Sequence, residues 1–164
     1  MPQHWQPPDE NKFKFKFEAA VFKSCNQARI GVIIRDWRGE AIGALSTSVL
    51  AAQSVVELEA LACRQAVQFA VELGLQDVVF EGDSLQVIQA ITQDNSDHLT
   101  YDHIIKDIRT QVAALFSLEF IFNTRHSNII ADARAKKAKN CRETRVWIDS
   151  LPEDIAPLVV FDIH

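Results

Sequence analysis

The stretch Phe13–Phe22, FKFKFEAAVF, begins with a strict alternation of apolar and basic residues. Alternation of this kind predicts a β-strand with one face turned towards a core. Two further strand-like stretches follow at short intervals, Ala28–Asp36 and Ala41–Ser48, and the turn between them contains Gly39. Because short connections join neighbouring antiparallel strands, this part of the chain predicts a three-stranded antiparallel meander.

After the meander the spacing of the apolar residues changes to that of a helix. The segment Ser54–Leu73 has this helical spacing, and the glycine that follows it is typical of a helix end. Strands and helices then alternate. The strands are Asp77–Glu81 and Leu118–Asn123, and the helices are Leu85–Thr92, Tyr101–Phe116 and Asn128 to about Lys139. This order predicts an α/β fold with a mixed sheet flanked by helices.

Length and composition indicate one globular domain. The 164 residues are 48% hydrophobic and 24% charged, with a net charge of −5, which is the balance of a folded protein. No apolar run approaches the ~18 residues of a membrane span, no signal peptide is visible, and the three cysteines form no disulfide or zinc pattern. We expect an intracellular protein, monomeric by default, in the nucleus or the cytoplasm. Its expected parts are a flexible leader at 1–12, a folded domain at 13–142 and a tail at 143–164 packed on or beside that domain.

Four acidic residues stand where the pattern would place other side chains. Glu18 lies in the first strand, Glu59 on the inward stripe of the first helix, Asp83 after the fourth strand and Asp132 in the first turns of the last helix. Each has a structural explanation: an ion pair with Lys16, a buried salt bridge or stripe edge, a helix N-cap and a helix-dipole contact, respectively. These positions can nevertheless converge on one edge of the sheet, and several carboxylates together are what a pair of divalent cations requires.

Charge is distributed unevenly along the chain. The segment 134–145 carries six basic residues and one acidic residue, Glu143, whereas the middle of the chain is acidic. A basic stripe beside an acidic cluster is compatible with a polyanion track next to a metal site, but a solvated helix face explains it equally well.

Several stretches, taken in their order and spacing, resemble the ribonuclease H-like domain of plants, the reverse-transcriptase-associated type often found in retroelement-derived proteins. They are WQPP (5–8), KFKFEAAVFK (14–23), GVIIRD (31–36), EALACRQA (59–66), EGDSLQV (81–87), NIIAD (128–132) and VWIDSLP (146–152). The resemblance covers nearly the whole chain. It implies a ribonuclease H-like fold with a five-stranded sheet, of which three strands are antiparallel and two parallel.

The same resemblance implies a function. Carried over by position, the catalytic and metal-binding group is Glu18, Glu59, Asp83 and Asp132, holding two Mg²⁺ or Mn²⁺ ions. The implied reaction is endonucleolytic hydrolysis of the RNA strand of RNA–DNA hybrids, so the implied partner is nucleic acid, contacted at its phosphates and 2′-hydroxyls. His126, in the loop before the last helix, has a possible auxiliary role in product release, although a solvated loop histidine is the alternative.

The chain departs from the family at three positions near these acids. Glu18-Ala19 stands where the family has Asp-Gly, Lys16 where it often has Asn, and Arg134 where it usually has Leu. A longer first carboxylate shifts its oxygens by about a bond length, and a ~1 Å misplacement can cost ~10²-fold in rate. The alternative function is therefore a catalytically weak or inactive module that binds nucleic acid or a protein partner.

Overall fold

The computed structural model describes residues 12–22, 27–50, 54–93, 100–115, 117–124 and 145–148. Residues 1–11 of the predicted leader at 1–12, the predicted final helix, and both Asp132 and His126 lie outside the described residues. So does the tail, apart from 145–148.

The described residues form one mixed sheet with three helices. In chain order the elements are β1 (Phe13–Phe22), β2 (Gln27–Arg35), β3 (Ala41–Leu50), α1 (Val55–Glu72), β4 (Asp77–Gly82), α2 (Leu85–Gln93), α3 (Asp102–Val112), β5 (Ser117–Phe122) and β6 (Arg145–Ile148). The strand order across the sheet is β5-β4-β1-β2-β3-β6. β1, β2 and β3 form an antiparallel meander, whereas β4 and β5 run parallel to β1. The predicted five-stranded mixed sheet is confirmed, and the short strand β6 extends it antiparallel to β3.

The two faces of the sheet differ in polarity. Alternation in β1 buries three phenylalanines on one face, Phe13, Phe15 and Phe17, and Phe15 packs edge-on against an aromatic ring of α1. The opposite face of β1 carries Lys14 and Lys16, which are also buried. The hydrophobic core therefore lies on the phenylalanine face, and ionic side chains are buried on the other.

Both ends of α1 follow from the sequence. The hydroxyl of Ser54 caps the helix by accepting the backbone N–H of Glu57 at 3.3 Å. At the other end Gly74 takes a φ of 75°, a conformation that favours glycine and ends the helix there. The predicted inward stripe is buried, including Glu59, Cys63, Ala66, Ala70 and Leu73.

The helix α3 packs against α1. Its inward residues Ile104, Ile105 and Ile108 are buried, and an ion pair of 2.9 Å joins Arg64 of α1 to Asp107 of α3. Among the residues described, no helix is both long enough and apolar enough to cross a membrane.

Candidate metal centre

Glu59 lies in the second turn of α1, on the stripe that faces the sheet, and only 7% of it is exposed. Burial is the largest cause that raises the pKa of its carboxyl, to about 8. The charge of Asp83, a hydrogen bond with the Asp83 side chain and the charge of Glu18 raise the pKa further, while the backbone N–H of Ala19 donates a hydrogen bond that lowers it. Glu59 therefore holds a proton at neutral pH in the metal-free protein.

Asp83 follows the last residue of β4, at the carboxyl end of the two parallel strands. The structural explanation of Asp83 offered from the sequence was a helix N-cap. In the structure Ser84 occupies the capping position, because its hydroxyl accepts the backbone N–H of Val87 at 3.4 Å. Asp83 is exposed to solvent, and its carboxyl hydrogen-bonds to Glu59.

Gly82 allows β4 to approach β1 closely just before Asp83. A Cβ at this position would overlap Cε2 and Cζ of the Phe17 ring, which is almost fully buried. A residue with a side chain at position 82 would therefore push the two strands apart next to the carboxylates.

Glu18 lies on β1, half-buried, one residue beyond Phe17. The parallel pairing of β1 with β4 ends at Lys16 opposite Glu81. Glu18 lies two residues beyond Lys16 on β1, as Asp83 lies two residues beyond Glu81, and the charge of Glu18 is among the causes that raise the pKa of Glu59.

Three of the four acids predicted from the sequence thus come together, from β1, α1 and the end of β4. One oxygen of Glu59, Oε2, is buried and has no hydrogen-bond partner, which leaves it available to a cation. Carboxylate oxygens are the ligands that Mg²⁺ and Mn²⁺ prefer, so the three side chains supply the right kind of donor atom for such an ion. Within the described part of the chain, however, no group of three acidic, histidine or cysteine side chains is arranged to hold a metal. The fourth predicted ligand, Asp132, lies outside that part.

A buried cluster of charges adjoins the carboxylates. Glu81, the residue before Gly82, is 1% exposed, and its Oε1 is 2.7 Å from Nζ of Lys14 and accepts a hydrogen bond of 3.3 Å from Nδ2 of Asn123. Its Oε2 is 3.7 Å from Nζ of Lys16. We call Lys14, Lys16 and Glu81 the lysine cluster.

Sequence reasoning did not identify Glu81 or its contact with Lys16. It offered Glu18, two residues along the same strand face, as the partner of that lysine. The available signal was a glutamate inside an apolar strand, DVVFE, which requires a buried partner. The identity of the partner depends on β1 and β4 being neighbours, and the two strands are separated by most of the meander and α1.

Residues 16–138 of this chain match the family model described as reverse transcriptase-like. A search of curated proteins found no match.

Solved structures with the same fold include three ribonucleases H. LC11 ribonuclease H1, in complex with an RNA/DNA hybrid, has a TM-score of 0.65 and 17% identity, covering 78% of this chain and 99% of that one. Ribonuclease H1 of the halophilic archaeon Halobacterium salinarum has a TM-score of 0.62 and 16% identity, covering 70% and 86%. The N-terminal ribonuclease H domain of a Mycobacterium tuberculosis protein has a TM-score of 0.61 and 13% identity, covering 77% and 98%. At these identities the likeness shows the fold.

Proposed function

The chain belongs to the reverse transcriptase-like family and contains a ribonuclease H-like domain, and from this we propose that it hydrolyses the RNA strand of RNA–DNA hybrids in a metal-dependent, endonucleolytic reaction. The observation that carries the proposal is the convergence of Glu18, Glu59 and Asp83 at the carboxyl end of β4. Ligands of mixed and parallel sheets gather at this edge.

Glu18, Glu59 and Asp83 would hold the Mg²⁺ or Mn²⁺, and Asp132 remains the predicted fourth ligand. A metal held by these residues would supply Lewis-acid chemistry to the attacking water and to the phosphodiester. Glu59 must release its proton before it can act as a ligand, since only the ionised carboxylate binds a divalent cation well. The backbone N–H of Ala19 orients Glu59 by donating to it.

The substrate class is supported by the LC11 neighbour, which was solved with an RNA/DNA hybrid. RNA is told from DNA by its 2′-hydroxyls, so a hybrid nuclease needs contacts to 2′-hydroxyls and phosphates rather than to base edges. Cleavage that is independent of base sequence is therefore expected.

The test is cleavage of an end-labelled RNA–DNA hybrid, compared with double-stranded RNA and DNA of the same sequence, in Mg²⁺, Mn²⁺ or EDTA. We expect metal-dependent cleavage of the hybrid's RNA strand, and a fall of at least about 10²-fold in Asp83→Asn because the reacting atoms lose their alignment. Asp77→Asn is the matched control, since it removes the same charge at the opposite end of β4. Equal activity of Asp83→Asn and Asp77→Asn would refute the proposal.

A second candidate, a weak or inactive module that binds nucleic acid, is favoured by Glu18 and by the lack of a ready ligand group among the described residues. Glu18→Asp separates the two. In an active enzyme that tolerates Glu18, the wild type cleaves; in a decayed nuclease, only Glu18→Asp cleaves. If neither the wild type nor Glu18→Asp cleaves the hybrid, the function that remains is nucleic-acid binding.

A further inference from the structure

Among the residues that the structure describes, four large apolar side chains are exposed to solvent, with between 38% and 70% of each accessible: Val21, Val55, Leu85 and Phe122. They come from four different elements, β1, α1, α2 and β5. Single exposed apolar residues scattered over a surface need no explanation, whereas a group of them in one place marks a binding surface. Their positions in the fold therefore decide what they mean.

Three of the four lie where parallel strands end. The strands β1, β4 and β5 run parallel, and Val21 and Phe122 lie at or next to the carboxyl ends of β1 and β5. Phe122 is paired with Gly82, the last residue of β4. Leu85 is the first residue of α2, three positions after Gly82. These three residues are therefore at the edge of the sheet that carries Asp83.

The fourth residue, Val55, comes to the same edge from α1. The carboxyl of Glu59 accepts the backbone N–H of Ala19, so the second turn of α1 lies over β1 near the carboxyl end of that strand. Val55 precedes Glu59 by four positions, which places the two residues on the same face of the helix, one turn apart. We call Val21, Val55, Leu85 and Phe122 the apolar rim.

The immediate surroundings of the acids offer exposed apolar groups rather than exposed cations. Each of Glu18, Glu59 and Asp83 has a member of the apolar rim within four positions along the chain. Over the same spans the described residues include no exposed lysine or arginine, since both lysines of the lysine cluster are buried. A polyanion bound at the acids would therefore meet apolar side chains next to them.

We propose that the apolar rim packs against sugars of the bound RNA–DNA hybrid and supplies part of the affinity through contacts that do not depend on salt. The inference rests on the proposed function, because a phosphodiester reaches the three acids only when the hybrid covers this edge of the sheet. The wide and shallow minor groove of an A-form duplex displays its sugars, whose C–H groups are an accessible apolar surface. Burial of apolar area drives such a contact, whereas phosphate contacts release counterions and weaken as salt rises.

The experiment measures KM and kcat for cleavage of a fluorescently end-labelled hybrid in Mg²⁺, and the Kd of the same hybrid in EDTA by fluorescence anisotropy, each at about 50 and about 200 mM salt. The double variant Val21→Thr/Val55→Thr keeps the shape of both side chains and replaces one methyl group of each with a hydroxyl. We expect its KM and Kd to rise about three- to tenfold, by the same factor at both salt concentrations, with a much smaller change in kcat.

The matched control is Val71→Thr/Val112→Thr, which makes the same two changes in the last turns of α1 and α3, away from this edge, and should leave both constants unchanged. Leu85→Asn tests the other side of the acids and should raise KM in the same way as the rim double variant. Circular dichroism checks that each variant is folded.

Equal KM and Kd values for the rim and control double variants would overturn the inference. A loss of affinity confined to the lower salt concentration would overturn it as well, since that result indicates an ionic contact. If the wild type binds the hybrid but does not cleave it, the Kd values alone decide. A wild type that neither binds nor cleaves the hybrid would overturn the proposed function, and the inference with it.

Discussion

Glu59 is a carboxyl on the buried face of α1, and its environment gives it a pKa of about 8, against 4.5 for an ordinary glutamate. Burial contributes most, followed by the neighbouring acid Asp83. Because the pKa of the folded state is raised, the stability that this proton contributes is complete below about pH 4.5 and is lost as the pH rises towards about 8. Without bound metal, the free energy of unfolding should therefore fall as the pH rises from about 4.5 to about 8.

Glu59→Gln should remove that pH dependence. In EDTA we expect the free energy of unfolding of the wild type to fall by on the order of a few kcal/mol between pH 5 and pH 8, and that of Glu59→Gln to stay nearly constant. Urea denaturation at both pH values measures the difference. A wild type and a variant with parallel pH profiles would contradict the raised pKa of Glu59.

Two adjacent residues in the turn between β4 and α2 make different contacts. Ser84 caps α2, and Asp83 meets Glu59. We expect Ser84→Ala to cost about 1 kcal/mol of stability and to leave Mn²⁺ affinity nearly unchanged. Asp83→Asn should do the reverse, losing Mn²⁺ affinity while keeping its stability in EDTA nearly unchanged at neutral pH, since the amide oxygen can still accept a hydrogen bond from the protonated Glu59 carboxyl. Denaturation and calorimetry on both variants test this, and a loss of Mn²⁺ binding in Ser84→Ala would speak against it.

The close approach of β4 to β1 depends on Gly82. Gly82→Ala should destabilise the protein by about 1–3 kcal/mol, because the new methyl group overlaps the buried Phe17 ring and pushes the strands apart beside Glu18 and Asp83. A smaller side chain in Phe17→Leu should recover part of this loss, so the double variant should be more stable than additivity allows. Additive losses in denaturant unfolding would show that the ring is not the obstacle.

Most of the sheet was predictable because its strands carry local patterns. The alternation of Phe13–Phe17 and the short turns of the meander are properties of adjacent residues, and they specify β1, β2 and β3 without tertiary information. β6 was not predicted as a strand. Its four residues are too few to show a period, and only pairing with β3 defines it.

The sequence identified the acids of the candidate site but not the contacts around them. Glu59 stood out because a carboxylate on a buried helical stripe is costly without a partner or a metal. The contacts of Lys16 and Glu81 could not be foreseen, since they arise where a parallel crossover brings β4 beside β1. Pattern along the chain thus located the unusual acids, and the sheet order determined what surrounds them.

The whole molecule brings Glu18, Glu59 and Asp83 together from three separate elements, and their joint binding of one divalent ion is the central claim. Anomalous diffraction from crystals of the full chain soaked in Mn²⁺ tests it most directly. We predict an anomalous peak in direct contact with carboxylate oxygens of Glu18, Glu59 and Asp83, absent from crystals of Asp83→Asn. A Mn²⁺ peak elsewhere, or none in crystals of the wild type at saturating Mn²⁺, would contradict the claim.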